Sequence, residues 1–205
     1  ISAAGCLLKY AKDTQRCSLP HIRCIKTENR DESVQIDAAS RKNLELTSNL
    51  RGDQANTLVN VLDKCATPMG SRLIRRWINR PLTKQSILQA RQDSVAELQD
   101  GYLYEKLQVP LKKIGDMERI LTRVALRSAR PRDLVRLQHS LAKLPAVEDL
   151  LNNLSTKHLS SLASFSKPLP NLHLLLKKAI RDNPPMIIRD GGVIADGYNE
   201  ELDQL

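Results

Sequence analysis

Residues Thr67 to Pro81 read TPMGSRLIRRWINRP, and this short stretch carries a helix start, two contrasting faces and a helix stop. Thr67 supplies a side-chain oxygen suited to capping, and Pro68 falls at the first helical position, where a missing N–H costs nothing. Helical spacing gathers Met69, Leu73, Ile74, Trp77 and Ile78 on one side and Arg72, Arg75, Arg76 and Arg80 on the other. Pro81 then stops the helix by clashing with the preceding turn. The spacing therefore predicts a helix over Pro68 to Asn79 with its apolar face, Trp77 included, in a core. The arginine face meets water or something acidic.

Outward from this segment the pattern is mostly helical, with proline and glycine at the joints. Toward the start, Ser2 to Gln15 reads as a helix with Leu7, Leu8 and Ala11 inward. His21 to Thr27 and Ser33 to Ile36 read as short strands on either side of the charged turn Glu28 to Glu32. Asp37 is placed to cap a short helix ending at Asn43. Further helices are expected over Thr57 to Lys64, Lys84 to Gln99, Leu103 to Lys112, Asp116 to Arg127, Pro131 to Asn152, Thr156 to Ala163 and Leu169 to Asp182. Pro110 and Pro145 call for a kink or break in theirs. Beyond Pro184 and Pro185, Met186 to Arg189 and Val193 to Ala195 flank Asp190-Gly191-Gly192, a pattern suited to a hairpin turn. Asn199, followed by Glu200 and Glu201, reads as the cap and acidic first turn of another helix. The fold class expected is mainly α, an irregular helical bundle with two small β elements, short strands near 21–36 and a hairpin near 186–195.

Composition narrows the function. The chain has 205 residues and a formal net charge of +9. Between Gly70 and Arg136 there are 15 Lys and Arg against 7 Asp and Glu, so nearly all of the surplus lies in one third of the sequence. An acidic partner, nucleic acid first among them, fits such a surplus. Aromatic residues make up only 3%, which argues against a single-strand binder that stacks bases. No segment approaches the roughly 20 apolar residues of a membrane span, and Ile1 to Tyr10 does not resemble a signal peptide. Cys6, Cys17, Cys24 and Cys65 lack metal-ligand spacing and are too sparse for a disulfide scaffold, so free thiols in a reducing cytoplasm are expected. Both ends read as cuts within a longer chain.

Two constellations stand out. Arg119, Arg123 and Arg127 recur every fourth residue, and Arg130, Arg132 and Arg136 continue the positive charge into the next helix. Like charges at this spacing repel by roughly 0.2–0.5 kcal/mol per pair. Something acidic offsets that cost, either carboxylates such as Asp93, Glu97 or Asp133 on neighbouring helices or DNA phosphates. The same choice applies to Arg72, Arg75, Arg76 and Arg80, with the helix dipole as a third option near the C-terminus. Nothing points to catalysis. His21, His139, His158 and His173 are scattered, and no GxxxxGK[ST], GxGxxG or HExxH segment is present. No catalytic, cofactor-binding or metal-binding residues are expected in this chain.

Several stretches carry a family resemblance: DAASRKNLEL from Asp37, TPMGSRLIRRWINRPL from Thr67, DMERILTRVALRSARPRDL from Asp116, RDGGVIADGYNEELDQL from Arg189, and AAGCLLKYAKDTQ near the start. They are dispersed and in order, and the chain resembles a central portion of the bacterial DNA mismatch repair family MutS. The resemblance implies the end of a connector domain over 1–18, a helical core domain over 19–198 and the start of a lever helix over 199–205. It implies a structural and allosteric module, with Pro68, Gly70, Arg76, Trp77, Pro81, Arg130 and Pro131 in its interdomain framework. Arg72, Arg75, Arg119, Arg123 and Arg127 are the candidates for DNA contact under the alternative, a sequence-independent basic DNA-binding module. For full-length members the family implies mismatched double-stranded DNA, a second MutS subunit and MutL as partners, with ATP and Mg as cofactors. The family's Phe-x-Glu wedge has no match here, since the single phenylalanine, Phe165, lies in SFSK. Exposed apolar helix surface and self-association are expected.

Overall fold

The computed structural model describes residues 2–16, 19–20, 22, 24–27 and 29–204; the expectations at Ile1, Cys17, His21, Glu28 and Leu205 lie outside them. The chain forms two compact units.

The larger unit comprises Glu28–Asp116 and His139–Pro170. It holds α2 (Ala38–Asn43), α3 (Leu58–Leu62), α4 (Pro68–Asn79), α5 (Gln85–Gln99), α6 (Leu103–Leu111), α9 (Leu144–Asn152) and α10 (Lys157–Phe165). Its packing centre is α9 against α6 and α10, with α5 against the same two helices. Leu107, Ile114, Val147, Leu151, Leu154, Leu159 and Ala163 are buried there. A second cluster forms where the chain entering α3 pairs with residues 45–46: Leu58 N–H donates to Glu45 O at 3.1 Å and Val59 N–H to Leu46 O at 3.0 Å. Leu46, Thr57 and Val59 are buried at that joint.

Helix starts follow local chemistry. Asp37 accepts from Ser40 N–H at 2.9 Å and Thr57 from Asn60 N–H at 3.2 Å, each satisfying a donor that a helix leaves open. Pro110 is tolerated in the last turn of α6, which ends one residue later. The helix expected over Pro131 to Asn152 is instead two, because the chain breaks after Leu141 and α9 restarts with Pro145 in its first turn.

The smaller unit comprises Ile1–Thr27, Met117–Gln138 and Asn171–Leu205. It contains α1 (Ser2–Gln15), α7 (Met117–Ala125), most of α8 (Pro131–Leu141), α11 (Pro170–Ala179) and α12 (Glu200–Asp203). Leu19, Ile120, Leu137 and Ile180 are buried in it. The inward face expected for α1 is only partly covered: Leu8 and Ala11 are half-buried, Leu7 is 69% exposed and no residue of that helix is buried.

The helical class is as expected, whereas among the described residues the β structure consists of single bridges. Among the described residues Ser33 pairs antiparallel with Leu82, and Val34 N–H donates to Pro81 O at 2.9 Å. Arg30–Glu32 form a 3-10 turn immediately before this bridge. Near the C-terminus, Gly191 and Gly192 adopt positive φ as their turn requires. Ile188–Asp190 nevertheless form a 3-10 turn, and Ile194 bridges to Ile180.

Candidate functional site

The capped start of α4 brings the first arginines into place. Thr67 Oγ1 accepts from Gly70 N–H at 3.1 Å with Pro68 at the first position. A side chain at Gly70 would put its Cβ 3.1 Å from Cys65 Cβ and 3.3 Å from Thr67 Oγ1, so the cap and the preceding loop close over this residue only because it lacks one. That loop is held by Asp63, which accepts from Cys65 N–H at 3.2 Å and Ser71 Oγ at 3.0 Å. Burial alone would push the Asp63 carboxyl up, but these hydrogen bonds and the charge of Arg75 outweigh it and hold it below its ordinary range. Burial, with the neighbouring Asp63, pushes the Cys65 thiol up.

One turn on, Arg72 meets Asp116 in a two-pronged ion pair of 2.8 and 2.7 Å. The pair is half-buried, and the planar guanidinium matches the carboxylate in a way lysine does not. It joins α4 to the loop after α6, where Gly115 N–H donates to the fully buried Ser140 Oγ at 2.9 Å. Arg75 donates to Gln54 Oε1 at 3.3 Å. Arg76 is exposed and shares a cleft at the carboxyl end of α4 with Arg41 and Arg80. Pro81 ends the segment, its carbonyl serving Val34.

Trp77 corrects an expectation. It is 40% exposed, not core, because α4 has only the short α3 beside it among its principal helix contacts. The guanidinium of Arg91 covers the ring, 3.6 Å from its centroid, a favourable placement over the electron-rich face. Burial against α4 lowers the Arg91 pKa.

The smaller unit repeats the arginine–carboxylate theme. Arg123 of α7 donates to Asp133 Oδ1 at 2.7 Å, and the other oxygen of Asp133 accepts from Arg130 N–H at 3.1 Å. Pro131 is buried at the first position of α8, so Asp133 sits at the third and reaches back to the residue that opens the helix. One carboxylate thus caps α8 and ties it to α7. Arg123 Nε is buried with no partner among the described residues. Arg132 Nε donates to Pro184 O at 3.3 Å.

The arginine ladder is shorter than its spacing suggests. α7 ends at Ala125, and Arg127 stands beyond it in a left-handed conformation with φ 55°, off the stripe that Arg119 and Arg123 occupy. Among the three acids expected to meet these arginines, only Asp133 does so. Asp93 accepts from Gln89 at 2.8 Å. Glu97 reaches across from α5 to the start of α10, accepting from Ser155 N–H at 2.5 Å, Ser155 Oγ at 2.8 Å, Thr156 N–H at 2.9 Å and the Thr156 hydroxyl. The Thr156 hydroxyl first, then the Ser155 N–H, hold its pKa at about 2. Asp116 and Glu97 carried no local signal, because their partners lie 44 and 58–59 residues away.

The sequence has no phosphate loop, and among the described residues no group of three or more His, Cys, Asp or Glu is placed to hold a metal. Among those residues, no helix is long and apolar enough to cross a membrane. The arrangement is one of ion pairs and caps that fix helices against one another within each unit. It agrees with the comparison to known families: the model of MutS domain III matches residues 39–205, and the chain belongs to the MutS family.

Proposed function

We propose that this chain is a structural and allosteric core of a MutS protein, with little affinity of its own for DNA. The observation that carries the reading is where the arginines go. Arg72 and Arg123, two candidates for phosphate contact, are each engaged by a carboxylate of their own unit, so their charge serves helix packing. Family membership brings a role in DNA mismatch repair. On this reading residues 1–18 close a connector domain, 19–198 form the core and 199–205 begin a lever helix. Pro68, Gly70, Arg76, Trp77, Pro81, Arg130 and Pro131 belong to the framework that transmits motion. Mismatched DNA, a second MutS subunit, MutL, and ATP with Mg are partners and cofactors of the complete protein, which works in the cytoplasm. The chain by itself hydrolyses nothing.

Fluorescence anisotropy with matched and mismatched duplexes across a salt series tests this. Weak binding that fades steeply with salt and does not distinguish the duplexes is expected, since phosphate attraction is released by counterions. Tight, mismatch-selective binding at physiological salt would overturn the proposal in favour of a direct DNA-binding module.

A further inference from the structure

Where α5 gives way to α6, the larger unit has a cavity of about 690 Å³ whose lining includes Val95, Leu98, Asp100, Tyr102 and Tyr104. Two successive residues at this joint are left-handed, Gly101 with φ 57° and Tyr102 with φ 54°. A tyrosine seldom takes that conformation, and Tyr102 is 67% exposed in it. Tyr104 is 41% exposed, and its ring centroid lies 6.3 Å from that of Tyr102 with the planes tilted by 54°.

The surroundings are acidic although the chain as a whole is basic. Between Arg91 and Lys106 stand four carboxylates, Asp93, Glu97, Asp100 and Glu105, with no Lys or Arg among them. Asp93 accepts from Gln89, Glu97 from Ser155 and Thr156, and Glu105 from the Tyr104 hydroxyl at 3.3 Å. These donors are neutral, and among the described residues none of the four carboxylates has an ion pair. The joint therefore keeps its negative charge.

We propose that this cavity receives an arginine side chain of a protein partner. Each part of that side chain has a counterpart. The aliphatic stem meets Val95 and Leu98, the guanidinium plane lies on a tyrosine face, and its fork pairs with the Asp100 carboxylate. The same contact already exists within the larger unit, where Arg91 covers Trp77 at 3.6 Å. Among the described residues no cation covers either tyrosine. Lysine matches less well, because its compact ammonium offers neither plane nor fork. The phosphates of nucleic acid have the wrong sign.

The test is an amide NMR titration of the whole chain with the capped pentapeptide Ala-Ala-Arg-Ala-Ala and with its citrulline twin, which keeps the shape of arginine without the charge. Saturable shifts at the Gly101 and Tyr102 amides are expected, with the citrulline peptide at least about tenfold weaker. Asp100→Asn and Tyr102→Ala should each weaken binding at least about fivefold, and Asp149→Asn less than about twofold, as for a placed charge rather than a diffuse field. Asp149 is an exposed residue of α9 outside the cavity. Asp100 is exposed too, so Asp100→Asn leaves the turn and both rings in place and decides the matter if Tyr102→Ala disturbs the joint. Absence of saturable shifts, equal binding of the two peptides, or equal loss in Asp149→Asn would overturn the proposal. So would the same amides shifting with protein concentration alone, since a second copy of the chain would then fill the cavity.

Discussion

Single carboxylates tie together segments far apart in the chain. Glu97 gathers four donors at the start of α10, and its pKa falls from 4.5 to about 2, first through the Thr156 hydroxyl and then through the Ser155 N–H. The folded state therefore binds fewer protons than the unfolded chain between those values. The stabilisation is complete above about pH 4.5 and disappears as pH falls through about 2. Acid titration followed by circular dichroism should show Glu97→Gln less stable than the parent at neutral pH and closing on it as pH drops through that window. A constant gap at every pH would show that the carboxylate charge plays no part. Asp37 behaves similarly on a smaller scale, its pKa lowered by the Ser40 hydroxyl and then the Ser40 N–H. Legibility at this scale follows distance along the chain. The caps by Asp37, Thr67 and Asn199 lie three residues from their donors and are visible in the sequence. The grip of Glu97 on Ser155 and Thr156 is not, because no pattern links residues nearly sixty positions apart.

Between helices, Asp133 is the tie that can be cut most cleanly. It caps α8 through Arg130 N–H and holds α7 through Arg123, and it is 8% exposed. Asp133→Ala removes both bonds and leaves a guanidinium facing an empty pocket. The expected cost is about 2 kcal/mol, kept modest because Arg123 is 40% exposed and water screens the pair. For a chain of this size that lowers the melting temperature by roughly 4–8 °C. Asp133→Asn keeps an acceptor for the cap and should cost about half as much. A thermal shift under one degree for the alanine variant would remove Asp133 from the framework. Helices themselves were the most readable level: α1, α4 and α5 fall within a residue of where periodicity and caps put them. Strands were the least readable, since Ser33 finds Leu82 and Ile194 finds Ile180 across distances that alternation cannot encode. The apolar face of α4 was legible too, but not how much of it is covered. That depends on its neighbours, and the short α3 is the main one, so Trp77 stays half open beneath Arg91.

At the scale of the whole chain, apolar side chains stand exposed on several helices. α11 has no buried residue, and Leu172, Leu174 and Leu175 are 37%, 49% and 51% exposed. A helix of ten residues draws most of its stability from packing an apolar face, so this face has an occupant when one is available, and in a pure solution that occupant is a second copy. Sedimentation velocity should show the weight-average coefficient rising toward a dimer as concentration increases, and rising further with salt, which screens the repulsion between chains of net charge +9. Leu172→Glu with Leu175→Glu should return the chain to a monomer while its helical content holds. A species that stays monomeric at every concentration would show that the exposed leucines of α11 do not attract a second copy. A variant that still dimerises would place the contact on another face, such as that of α10, where Phe165 is 84% exposed.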